Sequence, residues 1–261
     1  MKRQLAKIYF KMVSQIYRST NDNKLTYFFK KKKTNDTLVV IFSAFPRIGM
    51  PATYNYMKTL KTITSDQLFI LDDFGNEKLG AYYLFENGSN DLEIAVTEFL
   101  KKILFFKNYK KIIFVGTSKG GYAAAYYGLK LNVDAVISGA QQYLLGNYLT
   151  DIPEKQATWH GMVGDSKTLT VEYLNELLPN LIKNKKSPDI KFYIHYSSKE
   201  HTYQEHISFL LDDLKNHGYN VVENREEYVK HQEVAKYFPK FLYQTLQEYT
   251  EKNIEERLKN E

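Results

Sequence analysis

Residues 111–128 carry the sequence KIIFVGTSKGGYAAAYYG, in which a buried type of strand is followed by a sharp turn and a helix of small residues. The uninterrupted apolar run ends at Val115, and a group of alanines follows a few positions later. Between the two lies a complete G-x-S-x-G pattern, from Gly116 to Gly120. Strand, turn and helix form the setting that a nucleophile elbow requires, so this segment predicts that Ser118 is presented as a nucleophile.

The small residues of this segment allow the strand, the turn and the helix to pack closely. An elbow holds its serine in a strained backbone conformation, and Gly116 and Gly120 let the strand and the helix approach closely. Gly121 and the alanines after it keep the helix close to the sheet. The backbone N–H of Lys119, at the N-terminus of that helix, can then face a developing oxyanion. The alternative is a glycine-rich turn that binds phosphate or has no function, although the segment matches neither the P-loop nor the G-x-G-x-x-G pattern.

Strand-like and helix-like segments alternate along most of the chain. The strand-like segments are Leu25–Phe29, Thr37–Ser43, Gln67–Leu71, Ala81–Phe85, Lys111–Val115, Val133–Ser138, Lys191–Ser197 and Tyr219–Glu223. The helix-like segments are residues 51–62, 91–106, 123–131, 169–182, 202–217 and 232–258, with Asp91 as a possible cap of the second. This alternation predicts βαβ units. We therefore expect an α/β-hydrolase-like domain over residues 34–261, with a doubly wound, mostly parallel sheet and helices on both faces.

Residues 140–167 lack clear periodicity. They include Trp159 and His160, and they are interpreted either as an irregular loop or as a lid on the acceptor side of the site.

Composition restricts the class of protein further. The 261 residues are 43% hydrophobic and 25% charged, which is typical of a globular protein and excludes a largely disordered chain. Because there is no cysteine, the sequence offers neither a disulfide framework nor a thiolate metal cluster. It also lacks H-E-x-x-H and any carboxylate cluster at calcium-loop spacing, so no metal site is predicted.

The net charge of +6 is concentrated in residues 1–33, which hold ten Lys/Arg side chains and one acidic residue, Asp22. The rest of the chain has a small acidic excess, which disfavours a nucleic-acid partner. We predict residues 1–33 as a basic amphipathic N-terminal arm, with a helical apolar stripe of Leu5, Ile8, Tyr9, Met12 and Ile16. Either this stripe packs on the domain, or the arm, with lysines 30–33, contacts an anionic membrane surface.

Neither a signal peptide nor an apolar run long enough to span a bilayer is recognisable in the sequence. We therefore expect a cytoplasmic protein, which would be peripheral at the inner face of the cytoplasmic membrane if the arm binds lipid.

A nucleophilic serine of this kind needs a general base later in the chain, and six histidines are available. Five of them lie within a strand, at helix starts, at a helix end or before the final strand; these are His195, His201, His206, His217 and His160. His231 follows the last strand-like segment and opens the last helix, where the base is expected. We predict His231 as the general base.

The acid that orients the imidazole is predicted as Glu200. It follows the strand that ends at Ser197, so it projects from the carboxyl end of the strand before the histidine strand. The rival carboxylates are Asp165, Glu205, Asp212 and Asp213.

A second oxyanion donor is expected in the loop after strand Thr37–Ser43. The backbone N–H of Ala44 or of Phe45 is the candidate, since Pro46 has no N–H to donate. Arg47 in the same loop either meets an anionic group of a substrate or is an ordinary surface arginine.

Three blocks of this sequence are similar to those of a group of bacterial α/β-hydrolase-fold proteins of surface-glycan biosynthesis. The blocks are VVIFSAFPR, IIFVGTSKGGYAAAYYGLKL with VDAVISGAQQYLLGNYL, and YSSKEH with VKHQEVAKYF, and together they span residues 38–240. The group includes capsular-polysaccharide biosynthesis proteins, capsule O-acetyltransferases and the glycan-acetylating component of accessory secretion systems.

The resemblance implies a Ser–acid–His site that moves acetyl from acetyl-CoA, as co-substrate, to a hydroxyl of a polysaccharide or other glycan acceptor. It maps the nucleophile to Ser118, the base to His231 and the acid to Glu200, although some relatives carry Asp at the acid position. The alternatives are a serine carbohydrate esterase or deacetylase, and a catalytically silent partner in a glycan-export assembly. The oligomeric state is left open.

Overall fold

The structure is a computed structural model that describes residues 13–32, 36–46, 50–184 and 189–260, with side chains up to Tyr249. The strands in this part of the chain are β1 (Gln15–Arg18), β2 (Lys24–Lys30), β3 (Thr37–Phe42), β4 (Asp66–Ile70), β5 (Lys111–Thr117), β6 (Ala135–Gly139), β7 (Lys191–Ser197) and β8 (Asn220–Glu226). They form one sheet in the order β1-β2-β4-β3-β5-β6-β7-β8. The pairs from β4 to β8 are parallel, whereas β1 pairs with β2 and β2 with β4 in antiparallel fashion.

Helices connect the strands and cover the sheet. They are α1 (Asp91–Phe106), α2 (Lys119–Leu131), α3 (Leu145–Asp151), α4 (Gln156–Val163), α5 (Val171–Lys183), α6 (Ser208–Asn216) and α7 (Val234–Asn260). None of the helices in the described ranges is both long enough and apolar enough to cross a membrane.

Both faces of the sheet are buried, as the apolar run of β3 illustrates. Val40 and Phe42 pack into a core with α1, α2, α5 and α6, while Val39 and Ile41 face a second core that contains residues of α7. Alternate residues of a strand point to opposite faces, so a strand covered on both sides is apolar throughout. The predicted doubly wound α/β fold, with a mostly parallel sheet and helices on both faces, is confirmed.

The N-terminal region differs from the predicted arm. Residues 15–30 form β1 and β2 at one edge of the sheet, so the predicted boundary between residues 33 and 34 does not separate an arm from the domain there. Ile16 belongs to β1 and is 67% exposed, so its assignment to a helical apolar stripe is wrong. The other four residues of that stripe lie outside the described residues.

Two local predictions are wrong at segments whose side chains bond distant parts of the chain. Residues 51–62 form turns instead of a helix; there, Asn55 Oδ1 accepts a hydrogen bond from the Ala44 N–H after β3, and the Tyr56 hydroxyl bonds the Thr117 hydroxyl at the end of β5. Residues 81–85 form a turn instead of a strand. There, Tyr82 and Tyr83 have positive φ angles, and the Ala81 N–H donates to the Asp72 carboxylate.

Two further details differ from the expectation. The 140–167 region holds α3, a short turn at Pro153–Lys155 and α4 instead of an irregular loop, and its helices are too short to show periodicity in the sequence. At the start of α1, Ser89 Oγ accepts a hydrogen bond from the Asp91 N–H, so Asp91 begins the helix but does not cap it.

Candidate active site

The nucleophile elbow lies between β5 and α2. Ser118 has φ 50° and ψ −124°, a strained conformation for a residue with a side chain. A Cβ atom on Gly116 would lie 2.1 Å from the Gly120 carbonyl oxygen, and one on Gly120 would lie 2.4 Å from the Phe42 carbonyl oxygen. A Cβ atom on Gly121 would lie 2.9 Å from Gln141 Cβ. The glycines predicted from the motif therefore sit where strand, helix and loop leave no room for a side chain.

The structure brings Ser118, His231 and Glu200 together, although they are far apart in the sequence. His231 Nε2 lies 2.9 Å from Ser118 Oγ, and His231 Nδ1 lies 2.9 Å from Glu200 Oε1. His231 opens a short turn before α7, and Glu200 lies in the loop after β7. A base within hydrogen-bond reach of a serine, and an acid that orients the base, form the arrangement that activates a hydroxyl for nucleophilic attack.

The surroundings of Glu200 favour its ionised form. The side chain is buried, and burial alone would raise its pKa. Hydrogen bonds from His231 and Thr202, together with the charges of His231 and His201, outweigh burial and lower the pKa of Glu200 below its usual value. The carboxylate is therefore available at neutral pH to accept the Nδ1 proton of His231 and to stabilise an imidazolium.

The other carboxylates considered for the acid do not contact His231. Glu205 is exposed and lies 2.8 Å from His201 Nδ1, and Asp213 accepts a hydrogen bond from the Tyr143 hydroxyl. Asp165 and Asp212 are exposed. Of these carboxylates, Glu200 is the one that the structure places against His231.

The remaining histidines also differ from His231 in their surroundings. His195 is fully buried in β7, with Nδ1 2.6 Å from Asn224 Oδ1, and His217 lies at the end of α6. His160 is exposed on α4. His206 is buried behind the site, where its Nδ1 accepts a hydrogen bond of 3.3 Å from the Leu144 N–H.

The backbone N–H groups predicted as oxyanion donors differ in whether they already have a hydrogen-bond acceptor. The Lys119 N–H begins α2, so it has no intrahelical acceptor. The Ala44 N–H donates to Asn55 Oδ1 at 2.9 Å, which favours Phe45, the next residue, as the donor from this loop. The choice between the two stays a prediction. Arg47 lies outside the described residues.

The Lys119 side chain has a structural partner that the motif does not reveal. Its Nζ lies 2.9 Å from Asp72 Oδ2, and both side chains are fully buried. A Cβ atom on Gly80 would lie 1.8 Å from Lys119 Nζ, so glycine is needed where the chain passes this ion pair. The pair connects the residue after the nucleophile to the loop that follows β4.

Two residues beside Ser118 escaped the sequence-based prediction. The Gln142 side chain, fully buried in the loop after β6, donates from Nε2 to Ser118 Oγ at 3.2 Å. Tyr148 on α3 lies close to Ser118, and burial raises the pKa of its hydroxyl, which therefore stays protonated. One sequence signal was available for both residues: they follow the carboxyl end of a buried strand. The carboxyl ends of parallel strands lie at the same edge of a sheet, so residues there can approach Ser118.

Glu200, His201 and His231 are the one group of the described residues that could hold a metal ion, with ligand atoms within 4.8 Å of one another. A metal ion there would compete with the hydrogen bond between His231 and Glu200. The arrangement favours proton transfer, and the absence of a metal site stays a prediction.

A model of the protein family described as "Accessory Sec system GspB-transporter" matches residues 7–155, more than half of the 261 residues. No curated protein sequence matches the chain significantly.

Several solved structures have a similar fold. The capsule O-acetyltransferase of Neisseria meningitidis serogroup A is 20% identical with a TM-score of 0.72, over 88% of this chain and 98% of that one. The Glycosylation Associate Protein (Gap123) complex from Streptococcus agalactiae is 20% identical with a TM-score of 0.70, over 90% of this chain and 46% of that one. The fluorophosphonate-binding serine hydrolase FphF of Staphylococcus aureus is 13% identical with a TM-score of 0.65, over 90% and 96%. These similarities confirm an α/β-hydrolase-like fold.

Proposed function

The chain belongs to the accessory Sec system GspB-transporter family, and we propose that it is a serine-dependent O-acetyltransferase of surface polysaccharide biosynthesis. It transfers acetyl from acetyl-CoA to a sugar hydroxyl through an acyl-Ser118 intermediate. One observation carries this proposal: the continuous hydrogen-bond chain from Ser118 Oγ through His231 to Glu200, with both links at 2.9 Å.

In the first half of the reaction, Ser118 Oγ attacks the thioester carbonyl while His231 Nε2 takes the hydroxyl proton. Glu200 stabilises the resulting imidazolium through Nδ1. Backbone N–H groups of Lys119 and Phe45 stabilise the oxyanion, and the carbon–sulfur bond then breaks as His231 protonates the leaving thiolate.

The second half restores the enzyme. An acceptor hydroxyl attacks the acyl carbonyl, and the now neutral His231 takes the hydroxyl proton. The bond to Ser118 Oγ breaks, and His231 returns the proton to that oxygen. The same three side chains thus serve both half-reactions, and the acceptor alone decides whether the product is an ester or a free acid.

Acetyl-CoA as the donor is supported by the fold similarity to a capsule O-acetyltransferase that was solved in complex with CoA. A glycan acceptor is supported by the same enzyme and by the likeness to a glycosylation-associated complex.

A serine esterase or deacetylase is the second candidate, because the serine hydrolase FphF and a ferulic acid esterase have the same fold. In that case water replaces the sugar hydroxyl in the second half-reaction. A catalytically silent partner is disfavoured, because a complete Ser–His–Glu array has no evident use in a protein that only binds.

The proposal for the N-terminal region is that residues 1–33 hold the protein at the inner face of an anionic membrane. It is supported by the excess of basic residues there. Nucleic acid is not proposed as a partner.

The decisive experiment measures acetyl-CoA consumption with and without a polysaccharide acceptor. We expect acceptor-dependent consumption by the unaltered protein and none above background by Ser118→Ala. Equal consumption in the absence of acceptor would identify a hydrolase instead. Similar rates for the two proteins would overturn the role of Ser118.

A further inference from the structure

Lys155 places a positive charge at the rim of the candidate active site. It ends the short turn between α3 and α4, and its Nζ lies 3.8 Å from the centre of the Phe45 ring and 5.9 Å from that of Tyr148. Phe45 belongs to the loop of the predicted oxyanion donor, and Tyr148 lies close to Ser118. The ammonium therefore lies beside a tyrosine ring that neighbours the proposed nucleophile.

This charge has no ionic partner in the part of the chain that the structure describes. Three other lysines with largely buried side chains do have one: Lys119 pairs with Asp72, Lys107 with Asp66 and Lys130 with Glu93. Lys155 instead contacts aromatic rings.

The surroundings of Lys155 also make its charge unfavourable. Burial, and next the charge of Lys119, lower the pKa of Lys155, and the exposed neighbour Glu154 opposes this only in part. Desolvating a cation without a counterion costs free energy, which a bound anion would offset. The contacts with aromatic rings recover only part of that cost.

We propose that Lys155 binds an anionic oxygen group, a carboxylate or a phosphate, carried by the acceptor glycan. The proposal rests on the proposed acyltransferase function and adds the substrate class. The acceptor is an acidic sugar whose charged group is separated from the acetylated hydroxyl by about the width of one sugar ring. With the charged group of the sugar on Lys155, its hydroxyl side would face Ser118, and the Phe45 and Tyr148 rings would line the space between them.

A phosphate of coenzyme A is a second source of the same chemistry. The extended pantetheine arm separates the thioester from the coenzyme's diphosphate by much more than a tyrosine side chain. A thioester positioned at Ser118 would therefore carry its diphosphate beyond Lys155, and the geometry favours the acceptor.

The test uses the single tryptophan of the chain, Trp159, which follows Lys155 by four positions. Binding of sodium glucuronate, glucose and CoA is titrated at constant ionic strength by Trp159 fluorescence, with calorimetry as a second readout. The variants are Lys155→Met, which keeps the length but removes the charge, and Lys155→Arg, which keeps the charge. Lys167→Met is the matched control, because Lys167 is exposed.

We expect glucuronate to bind the unaltered protein more tightly than glucose does. Lys155→Met should weaken glucuronate binding by at least about tenfold, the effect of losing one charge-assisted hydrogen bond. Lys155→Arg should recover most of that loss, and glucose and CoA binding and the Lys167→Met variant should be unaffected.

Equal binding of glucuronate and glucose, no saturable binding of glucuronate, or a loss confined to CoA would overturn the proposal. Fluorophosphonate labelling of Ser118, measured on the same samples, reports separately on the proposed acyl-transfer function. Labelling without anion preference therefore refutes the role of Lys155 alone, and absent labelling refutes the proposed function.

Discussion

The Gln142 side-chain amide donates a hydrogen bond of 3.2 Å to Ser118 Oγ, so the proposed nucleophile has a polar partner on the side of the β6 loop as well as His231. Gln142 Oε1 in turn accepts from the Tyr82 hydroxyl at 3.2 Å, which fixes the orientation of the amide. An oriented amide donor beside the reacting oxygen can hold the serine in place and stabilise negative charge that develops during the reaction.

Gln142→Met should therefore lower kcat/KM for acyl transfer by about tenfold to a hundredfold, because it removes the donor and keeps the volume. The measurement is steady-state kinetics with p-nitrophenyl acetate and with acetyl-CoA. Gln141→Met is the control, since Gln141 is equally buried and has no hydrogen bond to Ser118. Equal losses in the two variants would show that Gln142 acts only through packing.

Glu200→Gln should reduce kcat by about a thousandfold to ten-thousandfold while the protein stays folded, because an amide does not stabilise the imidazolium or its required tautomer. The control is Glu205→Gln, which removes an exposed carboxylate that contacts His201. Turnover numbers and circular dichroism of both variants check the prediction. A Glu200→Gln enzyme with near-normal turnover would assign the acid to another residue.

Lys119→Met should destabilise the protein by about 3–5 kcal/mol, because it leaves the buried Asp72 carboxylate without its counterion. Adding Asp72→Asn to that variant should restore part of the loss, since the remaining partner is then neutral. Urea unfolding of the two single variants and the double variant measures these free energies. Strictly additive losses would contradict a direct coupling between the two residues.

The stability of the fold should depend on pH through His206. Burial, followed by the charges of His201 and His231, lowers the pKa of His206 from 6.5 to about 4. Between these values the unfolded chain binds a proton that the folded protein does not, so the free energy of unfolding decreases as the pH falls, by at most about 3 kcal/mol from this group.

Urea unfolding at pH 7 and pH 4.5 tests this expectation, with His206→Gln as the variant that does not titrate. We expect a smaller decrease for His206→Gln than for the unaltered protein. His217→Gln, at the partly exposed end of α6, should behave like the unaltered protein. A decrease in His206→Gln as large as in the unaltered protein would show that His206 does not contribute.

The elbow could be predicted from the sequence because its requirements are local. A side chain on Gly116 or Gly120 would clash with nearby backbone. Both glycines belong to the G-x-S-x-G motif, so the motif itself indicates the close approach of strand and helix. The order of nucleophile, acid and base along the chain then placed Glu200 and His231 after successive strands, where the sheet brings them together.

The contacts that sequence reasoning missed are long-range. No local pattern around Gln142 or Lys155 specifies their partners, because their positions depend on how the loop after β6 and the short helices pack over the end of the sheet. The edge strand β1 was missed for a related reason, whereas β2 was predicted as Leu25–Phe29. Apolar residues in a short exposed strand fit a helical period as well as an alternating one, and tertiary pairing decides between the two.

Peptide mass spectrometry after rapid acid quenching of a reaction with acetyl-CoA shows whether Ser118 carries the acyl group. We expect one added acetyl group on the peptide that contains Ser118, which disappears when an acceptor glycan is supplied. We expect no modification of the same peptide in Ser118→Ala. Acetyl transfer that proceeds at a normal rate in Ser118→Ala, or an acetyl group found on another residue instead, would rule out the acyl-Ser118 intermediate.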